Sequence, residues 1–235
     1  MWVSDTEDAP EAGRWFIMKS KKLTAGAVLL VLFLILIVLI KTVDVQPVGP
    51  ENSQIGLAAI NTSFHNLTGL QMTLYKVTQV TGYLAILSVV IFGLWGVWQL
   101  IQRKSIARMD KDILLLGGLY AALAVCYLFF EKCIINYRPV ILDEGLEASF
   151  PSSHTMLAMC LMLAAMEQLR RRLKDQPLGR ILSMVCAVLL VVTVIGRLLS
   201  GVHWLTDILG GLLLGGALYL FYAGLIDLLR QRGRI

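Results

Sequence analysis

Apolar residues run along this chain in long blocks rather than in strand-like alternation, and six blocks stand out, at residues 23–40, 77–101, 113–130, 154–166, 181–199 and 206–225. A hydrocarbon core about 30 Å thick needs roughly 20 mostly apolar residues at 1.5 Å each, so blocks near this length read as membrane spans. The first block holds 18 residues without a charge, the fourth is short, and the sixth carries Asp207. The pattern predicts an all-α polytopic membrane protein, six transmembrane helices packed as a bundle. Residues 1–22 are largely polar and read as a cytoplasmic tail. Lys41 follows the first block with no small-residue cleavage pattern, which marks an uncleaved anchor rather than a signal peptide.

Between the first two spans, Pro47, Gly49 and Pro50 signal a turn. Beyond it Ile60, Phe64, Leu67, Leu70 and Leu74 recur at helical spacing, predicting a short amphipathic helix on the outer surface. We read it as a packed connector rather than a lid. Asn61-Thr62-Ser63 and Asn66-Leu67-Thr68 match the glycosylation acceptor pattern, which is too short to carry weight.

Composition narrows the class. The chain is 57% hydrophobic and 16% charged, with a mean hydropathy of +0.73, whereas soluble domains hold about 25% charged residues. A length of 235 residues suits one domain, residues 1–235. The net charge of +5 raises nucleic acid as a partner, yet topology explains it better, because lysines and arginines collect in cytoplasmic loops. With the N-terminus inside, all of them except Lys41, Lys76, Lys132, Arg138 and Arg197 fall on the inner side. Some of those five therefore need another reason to be there. Cys126, Cys133, Cys160 and Cys186 lie in or beside apolar runs and read as small hydrophobes rather than disulfides or metal ligands.

The same topology gathers three polar clusters at the outer leaflet: Arg138-Pro139, the run Pro151-Ser152-Ser153-His154, and Arg197 with His203 and Asp207. Independent decorations would scatter over both faces, so the coincidence indicates one site built from several helix ends. His203 and Asp207 are four apart, one turn on a shared face if the last helix begins near Val202. A carboxylate behind an imidazole fixes its tautomer and turns the other ring nitrogen outward. Asp207 inside a span is expensive unless paired. Pro151 to His154 suits the start of a helix, where unpaired N–H groups and the helix dipole attract anions. Arg138 and Arg197 are fixed positive forks suited to phosphate oxygens. Two arginines, two histidines, helix-terminal amides and a carboxylate make a phosphoryl-transfer site, and no carboxylate–histidine cluster has metal-ligand spacing.

In order and jointly, these motifs resemble the signature of the type-2 phosphatidic acid phosphatase superfamily, the lipid phosphate phosphatases that share a core with vanadium haloperoxidases. That signature is a lysine separated by six residues from Arg-Pro, then Pro-Ser-Gly-His, then Ser-Arg followed by His and Asp. Here the matching residues are Arg138-Pro139, Pro151-Ser152-Ser153-His154 and Gly196-Arg197 with His203 and Asp207, within residues 131–207. The resemblance implies that His203 is the nucleophile, that Asp207 supports it, and that His154 protonates the leaving oxygen. It also implies that Arg138, Arg197, Ser152 and the Ser153 backbone hold the phosphate. Three positions depart from the pattern: Glu131 stands where the family has lysine, Ser153 replaces glycine and Gly196 replaces serine. Lys132 lies one residue nearer the arginine, about 100° around a helix, and reaches the site only through a bulge or its long stem.

The resulting expectation is a cofactor-free, metal-independent phosphatase in the plasma membrane, acting at the outer face on a lipid phosphate or diphosphate such as undecaprenyl diphosphate, phosphatidylglycerophosphate or phosphatidic acid. Both termini would be cytoplasmic, and the partners would be the bilayer and the lipid substrate, not nucleic acid. A phosphotransferase using the same His203, or a non-catalytic transport or assembly protein on this fold, are the alternatives. Gly210, Gly211, Gly215 and Gly216 give the last helix a small-residue face for close packing, within the chain rather than between copies.

Overall fold

The computed structural model describes residues 21–142, 145–174 and 176–233; most of the expected cytoplasmic tail, residues 1–22, lies outside them. Among the described residues the chain is helical, with seven α-helices and no strand: α1 Lys21–Thr42, α2 Ala58–Thr68, α3 Met72–Arg103, α4 Lys111–Lys132, α5 Ser153–Arg172, α6 Pro177–Leu199 and α7 Leu205–Gln231. Five of them, α1, α3, α4, α6 and α7, are long and apolar enough to cross a membrane. Their outward faces explain the reading. Val28, Leu32 and Val38 of α1, and Val185, Val188 and Val192 of α6, are exposed apolar side chains that suit contact with lipid.

α5 coincides with the fourth expected span but is not apolar enough to qualify on composition. Its surroundings give the reason. It packs against α3, α6 and α7, and residues from Thr155 through Gln168 are buried on several of its faces. A helix enclosed by protein need not be apolar all round. Gln168 Nε2 donates to Tyr222 Oη at 2.6 Å, and Glu167 pairs with Arg171 at 3.1 Å, so Gln168 and Glu167 find their partners inside the protein.

The α7 glycines make that packing close. A Cβ at Gly211 would sit 2.8 Å from the Ser152 carbonyl oxygen, and one at Gly215 2.7 Å from that of Met156. Both lie against α5 within the same chain. The four cysteines are unpaired, as their reading as small hydrophobes predicts, with Cys160 buried and Cys133 exposed.

The outer segment differs from its predicted form. The helix ends at Thr68, Gly69 follows with a φ of 61°, and α3 starts at Met72, so Leu70 and Leu74 are not on α2. Ile60 and Leu67 are exposed, as expected of an apolar face on the outer membrane surface, while Asn61 on the other side is fully buried. Asn61 Nδ2 donates to the Gly56 carbonyl at 2.9 Å and to Thr206 Oγ1 at 3.1 Å, and its Oδ1 accepts from Thr206 N at 3.2 Å. The side chain is therefore consumed in capping α7, which removes it as a modification site. His65 lies against the Trp204 ring, centroids 5.6 Å apart. These contacts pin α2 to the start of α7 as a connector.

Candidate active site

Four helix ends meet at one end of the bundle: the C-termini of α4 and α6 and the N-termini of α5 and α7. The α4–α5 loop folds back on itself through an isolated antiparallel bridge between Tyr137 and Ala148. Arg138 N donates to the Glu147 carbonyl at 3.1 Å, and Ser149 N to that of Asn136 at 2.9 Å. This closure sets Arg138 beside Ser149. Ser152 N donates to the Asp207 carbonyl at 2.9 Å, and Trp204 Nε1 to the Tyr137 carbonyl at 2.7 Å, tying the loop to the turn that carries His203.

His203 lies in the turn before α7, which begins at Leu205 rather than near Val202. As a result its Nδ1 is 3.6 Å from Asp207 Oδ2, beyond hydrogen-bond reach. Ser149 fills the gap: its Oγ is 3.0 Å from His203 Nδ1 and donates to Asp207 Oδ2. A serine has one proton to give. With that proton on Asp207, Ser149 must accept from His203 Nδ1–H, which leaves the lone pair on Nε2. Nε2 is buried and has no protein partner. Burial first, then the charges of Arg138 and Arg197, hold the His203 imidazole well below the usual histidine range, so the ring is neutral. Asp207 Oδ2 also accepts from Trp204 N at 2.8 Å, so the carboxylate caps α7 as well as ending the chain of hydrogen bonds.

His203, Arg138, Ser149 and Ser153 line one small pocket of about 330 Å³, together with Glu131 and Tyr127. Arg138 Nε lies 2.8 Å from Glu147 Oε2, and its Nη1 is buried without a partner. Arg197 is fully buried, and its Nε is likewise unpartnered. Arg138 shares the small pocket with His203, whereas Arg197 lines neither the pocket nor the groove next to it; an unpaired buried donor in one pocket with an unpaired imidazole nitrogen is what an anion would satisfy. Ser152 is buried, its Oγ accepts from the Thr155 hydroxyl at 3.1 Å, and its N–H donates to the Asp207 carbonyl. The donors left at the start of α5 are the Ser152 O–H and the next N–H groups.

His154 lines a second, larger, mostly apolar groove of about 1090 Å³ bounded by α3, α4 and α5. Ser153 and Tyr127 line both spaces, so the groove adjoins the small pocket. Tyr83 and Ile86 at its rim are exposed on the outer side of the bundle. Gly82 gives His154 its room, since a Cβ there would stand 2.6 Å from His154 Cδ2.

Lys132 is exposed and does not line the pocket, whereas Glu131 does. Lys41, also on this face, donates to the Ile135 carbonyl at 2.8 Å, an anchoring role that explains its position. No local pattern singles out Ser149, because its partners lie 54 and 58 residues away. Gln79, which accepts from Arg197 Nη2, did carry a signal: an amide inside an apolar span is costly unless used.

Comparison with known proteins matches residues 22–229 to the PAP2 superfamily. Among solved structures, the chain is similar to a transmembrane PAP2 type phosphatidylglycerolphosphate phosphatase from Bacillus subtilis, at 23% identity and a TM-score of 0.61. The similarity covers 86% of this chain and 96% of that one, and it is a likeness of fold. No curated protein matches this chain.

Proposed function

Because the chain belongs to the PAP2 superfamily, we propose that it is a membrane phosphatase that hydrolyses a lipid phosphate or diphosphate through a phosphohistidine on His203. The observation that carries this reading is the His203–Ser149–Asp207 chain of hydrogen bonds, which leaves a neutral, unpartnered Nε2 in a pocket with Arg138. A neutral imidazole nitrogen is a competent nucleophile toward phosphorus, and fixed cations supply most of the stabilisation that phosphoryl transfer needs.

In the first step Nε2 forms a bond to phosphorus as the ester oxygen leaves, and protonated His154 delivers its proton to that oxygen. As the P–N bond forms, His203 becomes cationic, and Ser149 with Asp207 stabilises that charge. In the second step neutral His154 takes a proton from water, the water oxygen attacks phosphorus, and the P–N bond breaks to release inorganic phosphate. Arg138, Arg197 and the Ser153 N–H hold the nonbridging oxygens. Lys132 stays outside this set unless the α4 terminus rearranges.

The apolar groove between α3 and α4 fits a lipid chain leading to His154, which is the side from which the ester oxygen would leave. Likeness to the Bacillus subtilis phosphatidylglycerolphosphate phosphatase supports a lipid phosphate substrate, with phosphatidylglycerophosphate, phosphatidic acid and undecaprenyl diphosphate as the classes to test. α5 is the sixth crossing in this reading. The basic residues at the far end, among them Arg103, Arg108 and Arg170, put that end in the cytoplasm and the site at the outer face.

The test is phosphate release by the detergent-purified protein, with chelator present, across lipid monophosphates and diphosphates. Release that resists chelator and disappears in a folded His203→Ala variant is expected. Unchanged release in that variant would remove the mechanism, and no release from any lipid would remove the activity.

A further inference from the structure

The two arginines at the site are held in opposite ways. Arg138 lies against a carboxylate, Glu147. Arg197, fully buried in the last turn of α6, enters none of the ion pairs among the described residues. Its Nη2 donates to Gln79 Oε1, and its guanidinium carbon lies 4.9 Å from the centre of the Tyr75 ring. Gln79 Nε2 in turn donates to the Tyr75 hydroxyl at 3.3 Å. With both ends of the amide used, the orientation of Gln79 is fixed.

A buried guanidinium normally requires an acidic partner, because an uncompensated charge is costly. A carboxylate at that point would cancel the field at the pocket and compete with phosphate for the same fork. An amide oxygen and an aromatic face hold the cation by dipole and quadrupole while leaving its net charge intact. Gln79 and Tyr75 lie one turn apart on α3, outside every signature motif.

We propose that Gln79, braced by Tyr75, is a positioning residue that fixes the Arg197 guanidinium and keeps its charge free for the substrate phosphate. This rests on the reading of Arg197 as a phosphate ligand. Gln79 also lines the apolar groove beside His154, so it stands where the lipid chain and the phosphate site meet.

The test uses the full chain in detergent and reads binding of inorganic phosphate by calorimetry, together with KM, kcat and thermal unfolding, in Gln79→Glu and Gln79→Met. In Gln79→Glu a carboxylate pairs with Arg197, so the fold is kept or strengthened while phosphate Kd and KM rise about tenfold or more, the loss of one charge-assisted hydrogen bond. A merely structural role for Gln79 would leave phosphate affinity unmoved in a stable protein. Gln79→Met, of similar volume, releases the guanidinium and weakens phosphate binding by about tenfold. Phosphate Kd within twofold of wild type in either folded variant would overturn the proposal, and if Gln79→Glu fails to fold, Gln79→Met decides. Binding needs no turnover, so the two readings fail separately. A wild type that binds phosphate without releasing it from any lipid would refute the phosphatase and leave the role of Gln79 standing. A wild type that binds no phosphate would refute that role.

Discussion

Ser149 has one proton and two neighbours, and that single constraint sets the chemistry of His203. Replacing Ser149 with alanine leaves His203 Nδ1 and Asp207 Oδ2 3.6 Å apart with nothing between them. The tautomer is then no longer enforced, and the imidazolium formed during transfer loses its nearest support. We expect kcat to fall about 10- to 100-fold, the equivalent of one buried hydrogen bond to a charged group, and stability to fall by about 1–3 kcal/mol, because the buried His203 Nδ1–H and Asp207 Oδ2 lose their shared partner. Steady-state kinetics with a melting curve checks this, and an unaltered kcat would take Ser149 out of the mechanism. Most residues of the proposed site were readable in the sequence, because Arg138, Ser152, Ser153, His154, Arg197, His203 and Asp207 fall in local motifs. Ser149 was not, since its role exists only after the α4–α5 loop has closed. Lys132 and Glu131 show the opposite failure: spacing along α4 marked the position without saying which of the two would face the pocket.

Among the elements, α2 has more to do than its amphipathic pattern indicates. The apolar spacing of Ile60 and Leu67 found the helix, and both side chains are exposed, as suits an apolar face turned to the membrane surface, but that spacing carried no sign of what the opposite face touches. The inward contact is polar: Asn61 caps the helix that carries Asp207. Asn61→Ala deletes those contacts and leaves Thr206 N unpaired in a buried place. We expect a destabilisation of about 1–3 kcal/mol, measured by thermal unfolding in detergent, with a smaller drop in turnover. A variant as stable as wild type would show α2 to be dispensable to the loop. α5 teaches a related lesson. Its block looked short because protein encloses the helix, and the hydropathy that marks a lipid-facing span has no reason to appear there.

At the level of the whole molecule, the bundle joins an apolar groove to a small charged pocket through Tyr127 and Ser153. If the groove carries the lipid chain, filling it should penalise long chains selectively. Ala124→Trp is expected to lower kcat/KM for a long-chain lipid phosphate about tenfold, the cost of modest overpacking, while a short soluble phosphate ester is hydrolysed as before. Equal losses on both would place the chain elsewhere. The all-helical membrane bundle was legible, because long apolar blocks specify long helices, whereas the count of six spans was not settled by them, since five helices qualify as crossings by length and composition. The groove was not legible, since it is bounded by three helices and by gaps that no local pattern records. The central claim, phosphoryl transfer to His203, is tested most directly by trapping the intermediate. In His154→Ala the acid is gone, so an activated ester such as p-nitrophenyl phosphate can still phosphorylate the enzyme while water attack lacks its base. The account predicts a stoichiometric burst of p-nitrophenolate and acid-labile phosphate located on His203 by mass spectrometry. Phosphate on any other side chain, or turnover with no burst, would contradict it.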